Sequence, residues 1–391
     1  MGFTDVDGNA VATDPVKSVL VLDTRLWARW DTRGGRTFYA RVRELDLRFD
    51  MAPGNPNSSL LEEGLQLDMA YLDLPEGDLK FRLGRQYLRL GRGLTLDATL
   101  DAVAVDYATG QWSFRSFAGR TPTRVTDLDP SVGRGKRRYA AVGADYLTGG
   151  GHRLFGYLLD ENDGTDVTLP GQALRYDAWY AAIGADGPLR SDLGYYVEAI
   201  REGGTSADAG SLTARSPIEA QAGLFELTFR PDRPHHPTVF ANAAYGRGDA
   251  DRGTVLGSAG GNRGGTDDNA FIGLGRFEGG LALSPRLSNL AVYQFGGSYS
   301  LLEIPVDDEA LILRAFGSWY RKDAAAGPIS HTGATLVSDD VGRAVDLMLG
   351  WKPSHDVVFS MSVGRFYPGD AFPTNLRDPA TVVQTGLTYG F

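Results

Sequence analysis

The sequence has no cysteine, which excludes disulfide scaffolds, thiol catalysis, cysteine-ligated zinc and the C-x-x-C-H haem attachment. Lysine is almost as scarce, with five residues (17, 80, 136, 322 and 352) against 34 arginines. Positive charge is therefore carried by the planar, permanently ionised guanidinium. Long apolar runs are missing too. Val19-Leu20-Val21-Leu22 is among the longest, far short of the ~20 residues a spanning helix needs, and this excludes a helical membrane protein. Acidic residues outnumber basic ones, 49 to 39, for a formal charge of −10, which argues against nucleic-acid binding, where clustered positive charge is required. Residues 1–5 carry neither a basic n-region nor an apolar h-region, so an exported chain would be present here as its mature form.

What the sequence does have is glycine, 51 of 391 residues, and aromatics at 10%, a mixture suited to many strands joined by turns. Helical periodicity is nearly absent, whereas period-2 alternation recurs from near residue 18 to the end. In the C-terminal segment Val383, Thr385, Leu387, Tyr389 and Phe391 share one face, and Gln384, Gly386, Thr388 and Gly390 the other. Seventeen strands are expected, at 18–30, 36–51, 60–75, 78–90, 99–107, 110–119, 137–147, 152–161, 173–185, 191–202, 216–230, 237–247, 270–283, 286–302, 340–352, 355–367 and 380–391. Most reach ten residues, the length of a tilted membrane-spanning strand rather than of a sandwich strand.

Short links alternate with long polar ones such as 120–136, 203–215 and 248–269. That asymmetry is the short periplasmic turn and long extracellular loop of an outer-membrane barrel. The expected fold is all-β, a transmembrane antiparallel β-barrel of about 18 strands (range 16–18), in one domain over 1–391 with 1–17 as an N-terminal segment. With both termini periplasmic the strand number is even, so seventeen needs a partner. Residues 2–12 are favoured over 309–320, because a strand at 309–320 would put loop 248–269 on the short-turn side.

Several segments resemble, in order, the alginate-export family of outer-membrane porins. Gly84-Arg85-Gln86 resembles its G-R-Q strand, and Asp101–Tyr107 the strand after it; Tyr196-Val197-Glu198-Ala199 is similar to a Glu-bearing strand. Ala244–Asp249 resembles a strand ending in S-G-D, with Arg247 in place of Ser. Val341–Asp346 resembles a V-G-x-E-x-D strand, with Ala344 where the family has Glu, and Phe366–Asp370 the F-x-P-G-D after it. Phe391 is similar to the terminal aromatic that serves as an assembly signal in such barrels. The resemblance covers about 78–391 and implies an eighteen-stranded barrel passing a polysaccharide or another polar solute outward.

By strand parity Asp23, Arg25, Arg29, Asp46, Arg48, Asp50, Lys80, Arg82, Gln86, Arg115, Glu198 and Asp346 are expected to face the lumen. Strict alternation aims Arg85 at lipid, at ~2–4 kcal/mol near the midplane, unless a glycine-associated bulge turns it inward or it lies at the rim. Two readings of the arginines stay open: cationic rungs for a translocating anion, or pairs with Asp that hold the wall. No catalytic motif, cofactor or metal site is expected. Asp160–Asp166 has calcium-type oxygen ligands without the full spacing and reads as a solvated loop; 248–269 reads as flexible cover, and His235-His236 as a rigid turn. The expected function is an outer-membrane porin that exports a polysaccharide or other anionic solute. The alternative is a scaffold barrel sheathing a multihaem cytochrome or a lipoprotein plug. Expected partners are outer-membrane lipid, the translocated solute and a periplasmic or lumenal protein, with no nucleic acid.

Overall fold

Alternating apolar and polar residues favour pleated strands over helices, and strands make up the wall of the computed structural model. It describes residues 16–51, 60–122, 136–164, 168–169, 172–173, 175–256, 261–302 and 310–390. The first eight strands are β1 (Val16–Asp31), β2 (Thr37–Met51), β3 (Leu60–Glu76), β4 (Leu79–Leu90), β5 (Leu96–Thr109), β6 (Trp112–Arg120), β7 (Arg137–Leu147) and β8 (Arg153–Asp163). A separate two-residue pair follows, β9 (Thr168–Leu169) and β10 (Gln172–Ala173). The wall resumes with β11 (Tyr176–Arg190), β12 (Leu193–Ala207), β13 (Arg215–Phe229), β14 (Thr238–Gly246), β15 (Leu290–Ser300), β16 (Ala310–Arg321), β17 (Asp340–Ser354), β18 (Val357–Pro368) and β19 (Ala380–Tyr389). Apart from β9 and β10, seventeen strands form one sheet. Each pairs antiparallel with its neighbour in the chain, and β8 pairs directly with β11.

One face of this wall is greasy. Leu20, Leu22, Trp30, Val103, Leu158, Ile183, Phe295, Val345 and Leu387 are exposed on it, as a lipid-facing surface requires. Trp30, Trp112 and Trp351 lie near the short-turn rim, while Trp179 and Trp319 lie near the long-loop rim. Those are the positions of the two interfacial aromatic girdles.

Two expected elements are corrected. Residues 270–283 form no strand; they belong to the connection between β14 and β15, which runs through the lumen. Their apolar spacing arises because Phe271, Ile272, Leu274 and Leu283 are buried there. Residues 310–321, expected in a loop, form β16. Losing one strand and gaining the other keeps the long connection 247–289 on the long-loop side. β1 begins at that rim and β19 ends at the short-turn rim; the expected strand at 2–12 lies outside the described residues.

The buried core is inside the barrel. Above Arg85 and Asp101, residues 86–100 of β4 and β5 hydrogen-bond to each other, while the recorded β3–β4 and β5–β6 pairings stop at Ala70–Arg85 and Asp101–Arg120. This hairpin leaves the wall and folds inward. Gly84 sits at the bend with φ +119°; a Cβ there would lie far inside contact with the Ala70 carbonyl, and the positive φ suits glycine alone. The hairpin buries Leu88, Leu90, Leu96 and Leu100 together with Tyr139, Tyr157, Tyr180 and Ile200 of the wall. The β14–β15 connection completes the plug and touches the hairpin. Gly275 N–H donates to the Leu94 carbonyl and Arg276 N–H to that of Gly93.

Candidate functional site

Hydrogen bonds that plug and hairpin cannot satisfy themselves are met by side chains from the wall. Glu202 on β12 is fully buried and accepts from Tyr176 O–H (2.5 Å), Tyr180 O–H (3.1 Å) and Ile272 N–H (2.9 Å). Tyr180 O–H also reaches the Ile272 carbonyl at 2.7 Å. Tyr320 O–H donates to the Gly279 carbonyl at 2.6 Å, and Asp346 accepts from Leu281 N–H at 3.4 Å. Within the connection, Arg252 forms a fully buried ion pair with Asp268.

The hairpin tip is held the same way. Glu198 accepts from Tyr157 O–H (2.6 Å), Tyr196 O–H (2.5 Å) and Arg92 N–H (3.2 Å). Arg92 reaches Glu226 on β13 at 2.7 Å and lies 4.4 Å from the centre of the Tyr196 ring. Thr95 hydroxyl and Tyr157 hydroxyl are 2.8 Å apart. The open space left beside these elements is a cavity of about 1620 Å³. Nine arginines line it (25, 43, 85, 89, 92, 230, 276, 286 and 314) against four carboxylates (Asp68, Asp97, Glu226 and Glu278).

Of the residues singled out by sequence, Arg25 and Arg85 line this cavity. Arg85 is turned inward by the hairpin bend and grips Asp101 through two bonds of 2.7 and 3.1 Å and the Leu67 carbonyl at 2.7 Å. Asp23 accepts from both Arg25 (2.6 Å) and Arg43 (2.9 Å). Arg82 is bidentate to Asp73 (2.6 and 2.9 Å), which also holds Lys80 at 3.1 Å. Arg115 pairs with Asp106 at 2.6 Å, and Arg29 with Asp31 at 2.8 Å.

Four placements differ from expectation. Gln86 is buried, with its amide on the Arg82 and Ala102 carbonyls, because the hairpin turns its side chain against the wall. Glu198 and Asp346 are buried anchors of the hairpin and plug rather than open lining. Asp46 is in register with Leu22, on the outward face. Arg48 and Asp50 lie on β2, but their side chains are outside those described, as is Phe391. Glu161 and Asp163, read as part of a solvated loop, are buried around Arg137 at 2.8 and 3.4 Å. The stretch 248–269, expected as flexible cover, contains buried Asp249, Arg252 and Asp268.

Arg89, Arg92, Arg230, Arg276 and Arg314 were not singled out. For Arg89 and Arg92 the signal was an anomaly of spacing, since the β4–β5 connection is five residues long on the rim where the others are long; Arg230, Arg276 and Arg314 lie on other elements and carried no such signal.

An antiparallel barrel with a lipid-facing apolar exterior, a plugged polar lumen and short turns on one rim defines an outer-membrane channel of the bacterial envelope. The chain belongs to the alginate export family, whose sequence pattern matches residues 12–381. Among solved structures it is similar to Pseudomonas aeruginosa OccK5 (OpdH), at 10% identity and TM-score 0.53, covering 95% of this chain and 98% of that one. OccK8 (OprE) of the same organism gives 12% identity and TM-score 0.53 over 95% and 98%. Wzi of Escherichia coli, an outer-membrane protein described as a carbohydrate-binding β-barrel, gives 10% and 0.51 over 94% and 78%. At these identities the likeness is one of fold. No curated protein gives a sequence match.

Proposed function

We propose that the channel passes a polar anionic solute, an acidic polysaccharide above all, outward through an arginine-lined lumen, with no catalytic step. The observation that carries this reading is the lining of the cavity. Arginines exceed carboxylates there by nine to four, and Arg89, Arg230, Arg276 and Arg314 have no ion pair among the described residues. Wall-holding explains Arg82 and Arg115, each tied to its own aspartate, but not these four. Inside a narrow low-dielectric wall, unpaired cations set local ion occupancy whatever the net charge of the protein. The family description supports a polymer as cargo. A sheath around another protein is less favoured, because the chain's own hairpin and plug fill much of the lumen.

The test is the reversal potential of the purified barrel under a tenfold KCl gradient. The wild type should prefer anions, and Arg89→Ala combined with Arg314→Ala should move the potential toward zero. High salt should weaken the preference, since screening shortens the field. Cation preference in the wild type would overturn the reading.

A further inference from the structure

Six tryptophans occur in the chain, and five of them (30, 112, 179, 319 and 351) lie on the lipid face by strand register. Trp27 is the exception. It alternates with Leu26 and is directly opposite Arg41, on the face that carries Asp23, Arg25 and Arg43. Its indole is 56% exposed, here to the lumen, at the short-turn side of the cavity. Other lumenal rings carry a guanidinium: Arg82 over Tyr71 at 4.2 Å, Arg92 over Tyr196 at 4.4 Å, Arg314 over Phe240 at 4.7 Å. No ring or cation covers Trp27 among the described residues. Arg25 and Arg29 flank it on its own strand, at a same-face spacing of about 7 Å, and their side chains are 41% and 64% exposed.

We infer that Trp27 is a binding platform for a pyranose that bears a carboxylate, the indole stacking on the apolar face of the sugar while Arg29, whose ion pair with Asp31 is solvent-exposed on both sides and therefore weak, takes the acid group. An uncovered indole costs free energy in water that a stacked ring recovers. Guanidinium forks at that distance suit a planar carboxylate. A neutral sugar would meet only the first contact, and a small inorganic anion only the second. The inference rests on the anionic-solute reading above and names its entry subsite.

The experiment uses the full barrel in a planar bilayer, with trigalacturonate, galacturonate and maltotriose added on the short-turn side. Trigalacturonate should block the current with a Kd that rises roughly tenfold in Trp27→Leu, the worth of one aromatic contact, and less in Trp27→Phe. Arg29→Ala should weaken the trimer but not maltotriose. Block by galacturonate as tight as by the trimer assigns the subsite to free acid sugars; tighter block by the trimer assigns it to polymer. In vesicles, wild-type tryptophan emission should shift with trigalacturonate, and that of Trp27→Phe should not. Unchanged block in a heat-modifiable, folded Trp27→Leu, or equal block by maltotriose, overturns the inference. Anion preference retained alongside that result sinks the subsite alone, whereas cation preference sinks the channel reading.

Discussion

Removing the Glu202 carboxylate tests whether the plug is held by buried hydrogen bonds rather than by apolar packing alone. In Glu202→Ala the hydroxyl of Tyr180 keeps its bond to the Ile272 carbonyl. The Tyr176 hydroxyl and the Ile272 N–H lose their acceptor in a fully buried site. Each orphaned donor costs about 1–3 kcal/mol, so the docked plug is weakened by roughly 2–6 kcal/mol, nearer the lower figure if water fills the space. Even 2 kcal/mol shifts the docked-to-undocked ratio about thirtyfold. Glu202→Gln is the matched control. With its amide oxygen toward Ile272 N–H and its NH2 toward the two hydroxyls, which rotate to accept, it leaves only the Tyr176 O–H without an acceptor, one orphaned donor against two in Glu202→Ala. Single-channel recording should show larger conductance and frequent open excursions in Glu202→Ala, with Glu202→Gln between it and the wild type. The reasoning fails if Glu202→Ala folds and conducts as the wild type does, or if both variants open equally.

Gly84→Val should lower the yield of heat-modifiable barrel several-fold, because a branched Cβ at positive φ runs into the Ala70 carbonyl where β4 bends; pulse-labelled assembly in cells checks it. Lys322 is buried in the long-loop cap, with Nζ on the carbonyls of Ala334 (3.0 Å) and Leu336 (3.2 Å), and burial holds its ammonium below the usual range. The unfolded cap therefore binds more protons between the lowered value and 10.5, so cap stability should rise with pH across that window. Proteolysis of 322–339 between pH 8 and 10.5 should slow in the wild type relative to Lys322→Met.

How much of this was legible in sequence differs between wall and lumen. Strand alternation carried the wall because each outward residue answers to lipid and nothing else, so Leu20, Leu22 and Trp30 repeat every second position. The lumenal side answers to whatever folds into it. Glu198 and Asp346 were read from parity as open lining, yet each receives a backbone N–H from an element more than sixty residues away in the chain. Asp46 went astray for a local reason. Its stretch Asp46-Leu47-Arg48 alternates charge with leucine, and only pairing with β1 shows which member lies beside Leu22.

The segments that carried the family resemblance now have a physical reading. Gly84 makes the bend at which β4 leaves the wall, Arg85 clamps that bend to Asp101 and Leu67, and Gln86 fills the space behind it. Glu198 receives the far end of the same hairpin. Asp249 orders the start of the plug through Asp251 N–H and Asn269 N–H, at 2.7 Å each, and Asp346 holds its later part. These residues hold the hairpin and plug in place, and Arg85 also lines the cavity. The cavity's guanidiniums without an ion pair among the described residues sit elsewhere, on Arg89, Arg230, Arg276 and Arg314, and Trp27 is exposed. In this chain, then, the segments that carry the resemblance account for how the lumen is built, each through a bond to the hairpin or the plug.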